Sequence, residues 1–188
     1  MNYFEELIKY IEEQKAIVYE KSFKKINEEV KSVLDHELSD EVSVIYSSYA
    51  EFKISWLEEN RKKSGYVDFV PYVNLEEEHK NLVESVAEIY DMSEDEFEIA
   101  DDINNWFPLF KFRNGDMFCL DKRDGKIKFF EHDVIDCGPN LHGIIISKSV
   151  NELFSLWSKI HFLDAYYWDE CVDENGLNLK TDICNSLL

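Results

Sequence analysis

The chain has 188 residues, with 40 Asp and Glu against 20 Lys and Arg, for a formal charge of −20. Its 45% hydrophobic and 14% aromatic content is too rich in core material for a disordered acidic tail, and its length suits one folded domain with or without an appendage. The charge repels phosphate backbones and anionic bilayers, which disfavours nucleic acid and membrane as partners, and no apolar run reaches the roughly 18–20 residues of a bilayer span.

The opening residues Met1 to Glu6 lack the basic start and apolar stretch of a secretory leader, so the expected location is the cytoplasm. In that setting Cys119, Cys137, Cys171 and Cys184 read as reduced, mostly buried thiols. None of them forms Cys-x-x-Cys, and none has a histidine at zinc-finger spacing.

In chain order, Phe4, Leu7, Ile8 and Ile11 fall at the spacing of an amphipathic helix. Phe23, Ile26, Val30 and Val33/Leu34 repeat that spacing and predict a second helix. Ser39 offers an N-cap ahead of Asp40, Glu41, Val42, Ile45 and Tyr46. Phe52, Ile54 and Trp56 alternate with polar residues and predict a half-buried strand. A charged turn between Leu57 and Gly65 leads to a β-rich run from Tyr66 to Val73, in which Pro71 marks an edge or an end. Asn74 with Glu77, and Ser93 with Glu96, resemble capping pairs of two further helices, the first running from Leu75 to about Tyr90.

The second half changes character. Trp106–Phe112 reads as a strand, and Asn114-Gly115 as a tight hairpin turn of type I′. Met117–Leu120, a second turn at Asp124-Gly125, and Ile127–Phe130 continue the pattern. Gly143–Ile146 adds a short strand after the break at Gly138-Pro139-Asn140. Ser149 and Glu152 cap a last helix whose apolar side carries Val150, Leu153, Phe154, Trp157, Ile160 and His161, the last read as a core histidine. The whole is an α+β fold: an antiparallel β-meander flanked by N-terminal helices and a C-terminal helix. We divide it into one domain over residues 1–163 and an acidic, aromatic C-terminal extension over 164–188.

Three segments carry a resemblance to a known family. These are Glu37–Trp56 (ELSDEVSVIYSSYAEFKISW), Trp106–Asp133 (WFPLFKFRNGDMFCLDKRDGKIKFFEHD) and His142–Trp157 (HGIIISKSVNELFSLW). With Asn114-Gly115-Asp116, Asp121, Gly125, Glu131-His132 and Trp157 in matching places, they resemble the SUKH superfamily of bacterial toxin-immunity proteins and fungal regulators of cell-wall synthesis. Ser39 stands where that family usually has proline, and Tyr49-Ala50-Glu51-Phe52 where Asn-Gly is common. The resemblance implies an α+β domain that acts by binding rather than catalysis.

Asp116, Asp121, Glu131, His132 and Asp133 are the one group that could pass for a metal or acid–base site, but turn chemistry is the preferred explanation of them. There is no Gly-x-Ser-x-Gly elbow and no phosphate-cradling glycine loop. We therefore assign no catalytic, cofactor or metal residues. Between Leu75 and Asp102 twelve acidic residues face a single basic one, Lys80. This is either the solvated face of two helices or a surface aimed at a cationic partner; on the second reading Glu84, Glu88, Glu94 and Asp95 are the candidate partner-binding residues. Tyr166, Tyr167 and Trp168 form a second candidate, since aromatics of this kind are enriched at interface cores, the alternative being that they dock the tail onto its own domain. The expectation is a non-enzymatic binding protein for a basic protein partner, such as a toxin nuclease domain, with a scaffold or regulatory adaptor as the alternative. The sequence carries no signal for an oligomeric state.

Overall fold

The computed structural model describes residues 3–26, 40–43, 45–58, 63–89, 102–132, 141–164, 171–173 and 176–180, without the side chains of 40, 41 and 87–89. Helix α1 spans Tyr3–Glu13 and buries Phe4, Leu7 and Ile11, the stripe its periodicity predicts. Glu5 and Glu6 lie in its first turn, where they complement the positive helix end. It closes on a Schellman motif. Lys15 is left-handed (φ 53°), its N–H donates to the Glu12 carbonyl, and Ala16 donates to that of Ile11.

The chain then departs from expectation. Phe23 lies not in a second helix but in strand β1, Ile17–Lys25. Its ring stacks on its cross-strand partner Phe52 at 4.4 Å, and that contact decides the conformation in favour of the sheet. The rest of the expected helix lies outside the described residues. A four-residue helix α2, Asp40–Ser43, follows and buries Val42. The capping role expected of Ser39 is outside the described residues. Strand β2, Tyr49–Glu58, buries Phe52, Ile54 and Trp56 as their alternation predicts, and β3, Lys63–Asp68, completes an antiparallel sheet of order β1-β2-β3.

After β3 the chain crosses to a second sheet. Phe69 bridges Phe110, and the Val70 N–H donates to the Leu109 carbonyl at 2.9 Å. Pro71, three residues past the end of β3, leads through a short 3-10 turn, Tyr72–Asn74, into helix α3, Leu75–Ile89. The second capped helix expected after it lies largely outside the described residues. Of that stretch, residues 102–105 are helical and bury Ile103.

The second sheet is the predicted meander. Strands β4 (Trp106–Lys111), β5 (Met117–Asp121), β6 (Ile127–Phe130) and β7 (Ile145–Ser147) are neighbours in that order, all antiparallel. The turn after β4 is not type I′. Only Gly115 takes a positive φ (95°), with its N–H bonded to the Phe112 carbonyl and the Phe112 N–H to the Asp116 carbonyl. That is a type I turn closed by a left-handed glycine. Asn114 instead uses its side chain, whose Oδ1 accepts from the Asp116 N–H at 3.2 Å. Gly125 (φ 75°) lies in the five-residue loop between β5 and β6, and its N–H donates to the Asp121 carbonyl at 2.8 Å.

Helix α4, Val150–Trp157, starts on the predicted cap, with the Ser149 hydroxyl accepting from the Glu152 N–H at 3.1 Å. It ends at Trp157, four residues before His161. A 3-10 turn, Ser158–Ile160, follows, and then His161 and Phe162 are both left-handed (φ 53° and 56°). His161 is thus not a core residue of the helix but stands half-buried on a turn. Trp157 is fully buried at the centre of the fold, packed edge-on to Phe110 and Phe118, and its indole N–H donates to the Leu163 carbonyl at 3.0 Å. A last hairpin, β8 (Val172–Asp173) and β9 (Gly176–Leu177), lies beside β7 and brings Cys171 and Leu177 into the same core. The architecture is α+β, and no helix among the described residues is long and apolar enough to cross a membrane.

Candidate functional site

Three places bear chemistry: the acidic helix α3, the carboxylates of the meander's turns, and a cleft beside α1. On α3, Leu82 and Val86 are buried against Ile103, Trp106, Cys119 and Phe130, so the inward side of the helix is taken. Glu76, Glu77 and Glu84 are left to water. Among the described residues Glu84 pairs with Lys80, 3.5 Å away and one turn back, and such an exposed pair contributes little. The side chain of Glu88 is not described. Glu94, Asp95, Tyr166, Tyr167 and Trp168 lie outside the described residues.

The turn carboxylates have structural partners. Asp116 is buried, and its Oδ1 accepts from the His132 N–H at 3.0 Å and lies 3.0 Å from the ring Nδ1 of the same residue. Its other oxygen accepts from the Asn114 amide. Asp121, only 2% exposed, accepts from the Trp106 indole at 3.2 Å and from the backbone N–H and Nε of Arg123, each at 2.9 Å. The Arg123 guanidinium, which also reaches Asp102, holds the Asp121 carboxyl below its ordinary pKa against the opposing push of burial. The two aspartates stand at opposite ends of β5, roughly 16 Å apart at 3.3 Å per residue. Glu131 accepts from the Leu141 N–H, and Asp133 lies outside the described residues. Among the described residues no three His, Cys, Asp or Glu side chains are grouped to hold a metal ion.

The cysteines divide. Cys119 is a free thiol, fully buried in β5, and burial pushes its pKa up, away from a nucleophile's range. Cys171 is disulfide-bonded, which corrects the expectation of a reduced thiol; its partner lies outside the described residues.

The third place was not anticipated from the sequence. A cleft of about 420 Å³ opens between α1 and the left-handed turn after α4. Tyr3, Glu6, Tyr10 and Glu13 line it from one side of α1, and His161 and Phe162 line it from the turn. The Tyr10 ring lies flat on His161, with 3.7 Å between centroids and 5° between planes. Its hydroxyl donates to Oε2 of the buried Glu58 at 2.9 Å. Tyr3 stacks on Phe154 at 5.2 Å. The helical half was legible as positions i, i+3, i+7 and i+10 of α1. The turn was not, because neither His161 nor Phe162 is a residue that marks a left-handed backbone. No family model, no curated protein and no solved structure matches the chain.

Proposed function

We propose that this protein is a non-catalytic binding protein that neutralises a basic protein partner by occlusion, as a SUKH-type immunity protein does with a toxin nuclease domain. The observation that carries the reading is the charge, −20 over 188 residues, with carboxylates of α3 exposed to water and weakly paired. Such a surface steers a cationic partner and raises its rate of encounter. The candidate acid–base residues speak for the same reading: Asp116 and Asp121 are committed to turn and strand contacts at opposite ends of one strand. The expected cytoplasmic location and the SUKH kinship belong to this proposal.

The test is association with a basic toxin domain encoded beside the gene. Stopped-flow binding should give a fast rate that drops when Glu84, Glu88, Glu94 and Asp95 are all changed to lysine. The loss should shrink as added salt shortens the screening length from about 10 Å at 0.1 M to 3 Å at 1 M. A neighbouring toxin that does not bind, or one that the intact protein fails to neutralise in cells, would overturn the reading.

A further inference from the structure

We propose that the cleft between α1 and the His161 turn receives a planar cation, an arginine side chain of the basic partner, packed on its aromatic rings and ion-paired to Glu6 and Glu13. The inference rests on the reading of this protein as a binder of a basic protein, and it adds where the anchor of that contact sits. Three features of the cleft converge on this chemistry.

The first is its walls. Tyr3, Tyr10 and His161 present ring surface while remaining half-exposed, and the buried Phe162 lies beneath. An aromatic face attracts a cation through its quadrupole, and a guanidinium also stacks on it as a flat group. The second is the rim. Glu6 and Glu13 are both exposed and stand two turns apart on α1, so a guanidinium lying along the cleft can meet carboxylate oxygens with its fork of donors. Lys9 lines the same cleft and sits 3.5 Å from Glu13, an exposed contact that an arriving arginine can replace with a better one.

The third is preorganisation. Tyr10 is held at both ends, by its hydroxyl on Glu58 and by its ring on His161, and its edge meets Trp56 at 5.7 Å. The half of the cleft that a guest would press against is therefore set before binding. Buried aromatic anchors paired with an arginine are the usual centre of an interface. The cleft is also lined by two carboxylates and one ammonium, so its charge complements a cation and opposes an anion.

The experiment is amide chemical-shift mapping of the full chain titrated with N-acetyl-arginine amide, N-acetyl-lysine amide and N-acetyl-leucine amide. The arginine probe should move Tyr10, His161 and Phe162 saturably, bind several-fold tighter than the lysine probe, and leave the leucine probe silent. The double variant Glu6→Gln/Glu13→Gln should weaken it roughly three- to tenfold. His161→Gly should weaken it about threefold while unfolding at the same or a higher temperature, because glycine suits the φ of 53° at that position. Shifts confined to α3, or equal occupation by the leucine probe, would overturn the cleft while leaving the acidic-binder reading standing. Conversely, an occupied cleft in a protein that ignores its neighbouring toxin would sink that reading and leave the cation site intact.

Discussion

Gly65 lies directly under the indole of Trp56, its cross-strand partner: a Cβ added at Gly65 would stand 2.3 Å from both Cε2 and Nε1 of the ring. Trp56 is only 1% exposed, so the ring has nowhere to retreat, and on its other side Gly65 forms a backbone bridge to Leu163. The glycine is needed for space, since its φ is not in the left-handed region. Gly65→Ala should cost about 3 kcal/mol in chemical denaturation, the upper part of the range for overpacking a core. In a Trp56→Leu background the same change should cost much less, and that coupling in a double-mutant cycle is the decisive measurement.

Asp121 offers a second test, of structure against catalysis. Asp121→Ala strands the indole N–H of the fully buried Trp106 and removes the buried one of the two carboxylates that Arg123 pairs with, so stability should fall by roughly 2–3 kcal/mol. His132→Ala should cost well under 1 kcal/mol, because that ring is 45% exposed and its bond to Asp116 is repaid by water. Equal losses from the two variants in thermal and urea unfolding would contradict this ranking.

How much of the fold could be read beforehand follows from how local its causes are. The meander was legible because each turn is coded in two or three residues, Asn114-Gly115-Asp116 and Asp124-Gly125, and because Ser149 caps α4 by itself. Strand β1 was not, since it is exposed along nearly all its length and Ile17, Val18 and Tyr19 point no hydrophobic face at a core. Alternation has nothing to report on such a strand, and Phe23, its one half-buried residue, fits a helical spacing equally well. The turn at Gly115 was placed correctly and its type was not, because Asn114 satisfied the backbone with its side chain rather than by a positive φ. Of the site candidates, Glu84 is where its periodicity put it, on the wet side of α3. The cleft needed tertiary structure, since it joins residues 3–13 to residues 158–162.

The disulfide of Cys171 makes a prediction about both stability and compartment. Cys171 is fully buried beside the β8–β9 hairpin, and the Asn178 N–H donates to its carbonyl at 2.7 Å. Reduction should lower stability by about 2–5 kcal/mol, the usual loss for a native bridge. In denaturant without reductant, Cys119 should be alkylated and Cys171 should not, as read by peptide mass spectrometry. Protein trapped by alkylation directly in its source cells reports the compartment: an oxidised Cys171 there would speak against a reducing cytoplasm.

His142 predicts the pH dependence. Its ring stacks on Trp106 at 5.1 Å and meets the edge of Phe130 at 5.5 Å. Burial depresses its pKa below the ordinary 6.5, with the Asp102 charge and the hydrogen bond to the Glu131 backbone opposing it. The neutral ring is therefore the form the fold prefers. As pH falls below 6.5 the unfolded chain takes up a proton that the folded one does not, so stability must decline through the window between 6.5 and the folded value. Asp121, whose carboxyl is held low, acts in a separate and more acidic window: its contribution is complete above the unfolded carboxylate value of about 4 and is lost as pH falls from there through its folded value. His142→Phe keeps a ring against Trp106 and removes the titration. Its unfolding temperature should change less between pH 7 and pH 5.5 than that of the parent chain, with the difference gone above pH 7. An identical slope in the two proteins over that window would mean that another group carries the dependence.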